Sequence, residues 1–243
     1  MSMIDLVPGR LVMQLLYFLP IPGLTLKLAH VIHRQYPVIS DNDCIFIQAF
    51  GRNTWTDEQL LGFLKDNQAR RSNDPMRALQ RDGFDPGRSN RDLARIAWML
   101  FLNRPVNIFA QWEVAYAMWE ENPTVYDKLL GGTGLMHVLW PRGSYYPTWI
   151  VKQDSIGLAA ELGLMHPIEL AHPDMVARAT AILWRLGVRP SLRVVPIAYD
   201  PKSVQPWTRS KRHWWLRNLL GHVHHILHRW VRFVPPRPPR SSV

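Results

Sequence analysis

The chain has 243 residues, enough for one large domain or two small ones with a closed core, and its apolar fraction of 47% excludes global disorder. Its formal charge is +10, but nine lysines and arginines, from Lys202 to Arg240, follow Asp200, after which no acidic residue occurs. The body before them is near neutral, which argues against nucleic-acid binding, and a single cysteine, Cys44, excludes an internal disulfide.

Residues 1–40 open with a strongly apolar stretch, Leu11 to Ile32, interrupted by Gln14, Pro20, Pro22, Gly23 and Lys27. It lacks an uninterrupted apolar run followed by a small-residue cleavage site, which argues against a signal peptide. Two short helices, packed on the domain or lying at a membrane surface, fit the interruptions, with a spanning helix as the alternative.

Residues 41–210 carry five apolar strand candidates separated by helical patterns. The strands are Cys44 to Ala49, Val106 to Ala110, Met136 to Trp140, Ile168 to Ala171 and Arg193 to Ala198. Cys44 lies inside the first, where a buried inert thiol is expected. Thr56 with Gln59, and Ser89 with Asp92, read as capping boxes, each before a helix. Further helical spacing covers Trp112 to Glu120, Tyr146 to Leu162 and Met175 to Leu186. Strands alternating with helices predict an α/β fold with a doubly wound, mostly parallel sheet. The connection between the first two strands, about 56 residues, far exceeds a simple crossover. It predicts a helical insertion beside the sheet, placed to cover a site.

In such a sheet ligands bind where strands end. The first strand ends in Gly51-Arg52-Asn53, a permissive glycine with a guanidinium suited to phosphate or carboxylate, although no glycine-rich nucleotide fingerprint is present. The second ends in Gln111-Trp112-Glu113, with a carboxylate in the first helical turn; Glu113 is a candidate acid or base. The third leads to Arg142, in a loop with Tyr145, Tyr146 and Trp149 that suits either a ring-bearing ligand or core packing. The fourth ends in His172-Pro173-Asp174, with Asp174 at a cap position and Arg178 one turn on as an anion clamp. His172 and Asp174 are candidate catalytic groups, or a capping aspartate beside an exposed histidine. Three arginines facing two or three acids predict a small anionic ligand, phosphate-bearing or nucleotide-like; no cofactor and no metal set is assigned.

Residues 211–243 read as a basic amphipathic helix followed by an extended Pro/Arg tail. Leu216, Leu219, Leu220, Val223, Ile226, Leu227 and Trp230 form an apolar stripe opposite Arg217, Arg229, Arg232 and several histidines. The stripe suits either packing on the domain or an anionic membrane surface. His224 and His228 are also spaced as a metal pair would be, without a carboxylate nearby.

The strand-end residues resemble the YdcF/SanA/ElyC-like superfamily of bacterial proteins. The matching segments are Ile45 to Gly51, Val106 to Glu113 and Leu170 to Ala179, with Arg178-Ala179 as its late Arg-Ala pair, and the run Pro196 to Trp207 after the last strand. Met175 stands where the family has a histidine, and its Asn-Thr-x-Glu-Asn segment has no clear copy, Thr148 being its nearest counterpart. The resemblance implies a Rossmann-like sheet with a polar cleft, and for some relatives envelope biogenesis or an adenosyl-type ligand. Together these readings predict a cytoplasmic protein, peripheral to the inner membrane. They leave two functions open, ligand binding with or without catalysis and a non-catalytic envelope factor at the membrane surface.

Overall fold

A computed structural model describes residues 43–70, 74–141, 148–164, 166–193, 197–214 and 216–217. Five strands form one all-parallel sheet: β1 (Asp43–Ile47), β2 (Asn107–Gln111), β3 (Met136–Leu139), β4 (His166–Leu170) and β5 (Ser191–Arg193). Their spatial order is β3-β2-β1-β4-β5, so the winding direction reverses between β1 and β4. This is the expected doubly wound, Rossmann-like α/β fold, and the reversal opens a crevice at the carboxyl ends of those two strands.

The central strand β1, Asp-Cys-Ile-Phe-Ile, is buried along its whole length. It is covered on both faces, as parallel strands are, and therefore reads as a continuous apolar run rather than an alternating one. Ile45 and Ile47 pack on one face, while Cys44 and Phe46 pack on the other with Phe109 and Leu139. Truncating a fully buried side chain such as Ile45 to alanine is expected to cost about 2–5 kcal/mol. Cys44 is buried as expected, and desolvation pushes its thiol up to about 12, which makes it inert.

The long first connection is helical, as expected: α1 (Asp57–Arg70), α2 (Pro75–Arg81) and α3 (Arg88–Asn103). The capping box before α1 forms, with Thr56 N–H donating to Gln59 Oε1 at 2.8 Å and Gln59 N–H to Thr56 Oγ1 at 3.4 Å. The one expected at Ser89 and Asp92 does not. The cap residue of α3 is Gly87, and the carboxylate that accepts its Arg88 N–H, at 2.6 Å, belongs to Asp200. Ser89 Oγ donates to the Ala198 carbonyl instead. Leu60, Phe63, Met76, Leu79 and Phe84 join the core on the Ile45 face.

The remaining helices are α4 (Trp112–Glu121), α5 (Pro123–Asp127) with a π turn at Lys128–Gly132, α6 (Thr148–Glu161) and α7 (Pro173–Arg185), followed by a 3-10 turn at Pro206–Thr208. Helix α6 mixes polar with apolar residues on its buried side. Thr148, Lys152 and Ser155 are buried there beside Val151 and Ala159, while Trp149 and Leu158 are exposed. The burial of Lys152 is compensated by Glu169, which lies inside β4. That strand begins at His166, earlier than expected, and β5 ends at Arg193, with Ile197 and Ala198 beyond it in a non-strand connection. The packed body also runs past residue 210: Trp214 is 3% exposed, clustered with Phe50, Met175 and Val176. Among the described residues no helix is long and apolar enough to cross a membrane. The apolar N-terminal stretch and most of the C-terminal helix, with its histidines and tail, lie outside the described residues.

Candidate functional site

The turn after β1 is held by a buried asparagine. Asn90, in the first turn of α3, accepts from Phe50 N–H at 2.8 Å and donates to the carbonyls of Gly51 and Pro86. Gly51 has φ 75°, and a Cβ there would stand 2.5 Å from Thr208 Oγ1 and 2.7 Å from Ser203 Oγ. Its lack of a side chain therefore lets the late segment close over the turn. Ser203 completes this closure, its Oγ accepting from Arg52 N–H at 3.3 Å, while Val204 N–H donates to the Arg52 carbonyl at 2.7 Å.

Arg52 points inward rather than toward solvent and is 4% exposed. Its Nε donates to the Trp55 carbonyl at 2.8 Å, and one terminal nitrogen lies 3.4 Å from Glu113 Oε1. Trp55 has φ 63°, an uncommon conformation for a bulky residue, and its ring packs against Phe63 and Phe84. Strain of this kind costs on the order of 1–3 kcal/mol and persists where packing and hydrogen bonding over-determine it. Asn53 does not face the cleft either; its Nδ2 donates to Asp85 Oδ2 at 3.1 Å.

A cleft of about 60 Å³ lies at the carboxyl ends of β1 and β4. By that measure one water needs roughly 10–15 Å³, so the cleft takes a few water-sized groups, the scale of a phosphate or carboxylate head. Gln48 and Gly51 line it from the turn after β1, Gln111 and Glu113 from the β2–α4 junction, Thr148 from α6, and Met175 and Arg178 from α7. Among the described residues no lining residue comes from α1, α2 or α3, so the described part of the insertion does not cover the site. The cover comes from the late segment, through Gln205, Trp207, Thr208, Trp214 and Arg217.

The helices α4, α6 and α7 all begin at this edge, so their positive dipole ends converge on the cleft. Glu113 is 4% exposed and balanced by Arg52 directly behind it. Arg217 stacks its guanidinium 3.8 Å over the Trp207 ring. Arg178 is half-buried, lines the cleft, and makes no hydrogen bond or ion pair among the described residues. With Glu113 facing Arg52, Arg178 adds a cation to the cleft lining.

His172 and Asp174 do not line it. His172 is 1% exposed, correcting the expectation of an exposed ring, and stacks on Phe50 with centroids 3.8 Å apart. Desolvation pushes its pKa down to about 3, against a smaller opposing pull from the Ile197 backbone. The ring Nδ1 accepts from Asp174 N–H at 3.3 Å, and Met175 N–H donates to the His172 carbonyl at 2.7 Å. His172, not Asp174, thus occupies the cap of α7. Asp174 sits in the first turn, where its carboxylate accepts from the Tyr199 hydroxyl. Both residues brace the wall that Phe50 and Trp214 build behind the cleft, with Trp214 Nε1 donating to the Asp174 carbonyl at 3.2 Å.

Of the residues singled out in the sequence, the fold therefore gathers Gly51, Gln111, Glu113 and Arg178 around one cleft, with Arg52 behind it. Arg142 lies outside the described residues. Sequence reasoning missed Gln48 as a lining residue, although a polar residue closing an apolar run three positions before Gly51 was the available signal. Nothing local marks Trp207 or Thr208. Compared with protein-family models, with curated proteins and with solved structures, the chain matches none significantly.

Proposed function

We propose that the chain binds a small anionic, phosphate-bearing ligand at the carboxyl ends of its parallel strands. The observation that carries this is Arg178, a cation lining the crevice at the winding reversal and making no ion pair among the described residues. Three converging helix starts and the matched charge of Glu113 support an anion there. Among the described residues Glu113 is the one carboxylate of the lining, and it is the group placed to exchange a proton with a bound ligand. The resemblance to the YdcF/SanA/ElyC-like superfamily belongs to the same proposal, since Arg178 of the Arg-Ala pair is the residue at the cleft.

Calorimetric titration with inorganic phosphate tests it. Arg178→Ala is expected to abolish binding with an unchanged melting temperature, and equal affinity in wild type and variant overturns the site.

A second reading, attachment to an anionic membrane surface as a non-catalytic envelope factor, is favoured by Leu216. It is 52% exposed and follows the exposed Lys211 and Arg212. Flotation with vesicles of phosphatidylglycerol and phosphatidylethanolamine, lost on truncation after Arg217, is the expected result. Truncating there keeps the packed Trp214, so flotation unaffected by that deletion counts against the C-terminal helix as the anchor.

A further inference from the structure

Two glutamines stand side by side on the cleft floor. Ile47 pairs with Ala110 in the β1–β2 register, so Gln48 and Gln111 take the next step on neighbouring strands, whose axes lie about 4.8 Å apart. Each carboxamide has one end committed. Gln48 Nε2 donates to Thr148 Oγ1 at 2.8 Å, and Gln111 Oε1 accepts from Ala49 N–H at 3.2 Å.

The other ends are left for a ligand. Gln48 is 3% exposed, and its Oε1 is buried with no hydrogen-bond partner among the described residues. Leaving such an acceptor unmade costs about 1–3 kcal/mol, so a protein that keeps one at a cleft gains from a ligand that satisfies it. Gln111 Nε2, the free end of the second amide, makes no hydrogen bond among the described residues. The floor therefore presents an acceptor beside a donor, and Arg178 lines the same cleft.

We infer that the ligand of this site carries a carboxamide or lactam group within a few bonds of its anion. The ligand's N–H donates to Gln48 Oε1, its carbonyl accepts from Gln111 Nε2, and its anion pairs with Arg178. The small cleft, about 60 Å³, sets the short spacing between the two groups. This inference rests on the anion reading above and narrows it to one chemical class.

The test compares phosphonoacetamide with isobutylphosphonate, which has nearly the same shape without the amide, by calorimetry on the full chain. Two satisfied hydrogen bonds are expected to favour the amide by about tenfold or more. Gln48→Leu removes the acceptor. Gln111→Glu removes the donor but still accepts from Ala49, so it preserves the turn. Both are expected to bring the affinity ratio close to one, with melting temperatures reporting that each variant folds. Equal affinities in the wild type, or a ratio that survives both substitutions, overturns the inference. If the two probes bind equally and Arg178→Ala loses both, the anion reading stands and only the amide assignment falls. If neither probe binds the wild type, both fall.

Discussion

Lys152 Nζ lies 2.6 Å and 2.7 Å from the two carboxylate oxygens of Glu169, and both side chains are fully buried. The pair joins α6 to β4 across the sheet face that carries Phe46 and Phe109. It also sits one turn from Thr148, so it fixes the helix end that holds Gln48. Burial pushes Lys152 down and Glu169 up, each opposed by the partner's charge and hydrogen bond.

Removing one partner strands a charge in the core. Lys152→Met and Glu169→Leu, made singly, are each expected to lower unfolding free energy by about 3–5 kcal/mol, whereas the double variant recovers most of the loss. Urea unfolding of the four proteins gives the coupling directly. Additive losses would show that the two side chains do not act as a pair.

The pair shows where sequence reading stops. Strands were legible because those buried on both faces read as apolar runs, and β1 to β4 fall close to their expected positions. Glu169 sits inside such a run, and nothing in the local pattern reveals that a lysine 17 residues earlier neutralises it. The cleft was half legible for the same reason. The strand-end rule locates Gln111, Glu113 and Arg178, because each stands at a strand's end or in the first two turns of the helix that follows it. It cannot foresee that Arg52 turns inward to Glu113, or that Gln205, Trp207, Thr208, Trp214 and Arg217 provide the cover, since both depend on packing between distant segments.

His172 makes the fold acid-sensitive. Its folded pKa, about 3, lies below the unfolded value near 6.5, so between these values the unfolded chain binds a proton that the native chain refuses. The contribution of neutral His172 is complete above that unfolded value and declines as pH falls, by roughly 1.4 kcal/mol per pH unit. His172→Asn keeps an acceptor for Asp174 N–H and removes the titration. Thermal unfolding from pH 7 to 4.5 is expected to show the wild type losing stability faster than the variant. Parallel curves would mean that His172 charges in place.

Gly51 is the joint between the β1 turn and the late segment. With φ 75° and Thr208 Oγ1 2.5 Å from any added Cβ, alanine meets both backbone strain and a collision. Gly51→Ala is expected to destabilise by roughly 1–3 kcal/mol. It should also raise hydrogen exchange at Val204 and Thr208, whose amides donate to the Arg52 and Gln205 carbonyls in the displaced segment. Unchanged exchange there would place the joint elsewhere.

Asp200 caps a helix that begins 112 residues before it. Its Oδ2 accepts from Arg88 N–H at 2.6 Å, and its Oδ1 from Lys202 N–H at 3.0 Å, so one carboxylate ties the start of α3 to the late segment. Burial pushes its pKa up, but the two amides, the Asn53 side chain and the Lys202 charge together hold it below the ordinary carboxylate value. A lowered folded pKa means stability present above the unfolded value and lost as pH falls through the folded one. Asp200→Ala is expected to cost about 0.5–2 kcal/mol, the range for lost helix caps, and Asp200→Asn less, since one acceptor oxygen survives. The alanine variant should also flatten the acid limb of the stability curve, while Asp92→Ala, at the capping box that does not form, leaves the α3 start intact. Chemical denaturation at pH 7 and pH 3 reads all of these. A larger loss for Asp92→Ala than for Asp200→Ala would assign the cap to the local pattern instead of the long-range one.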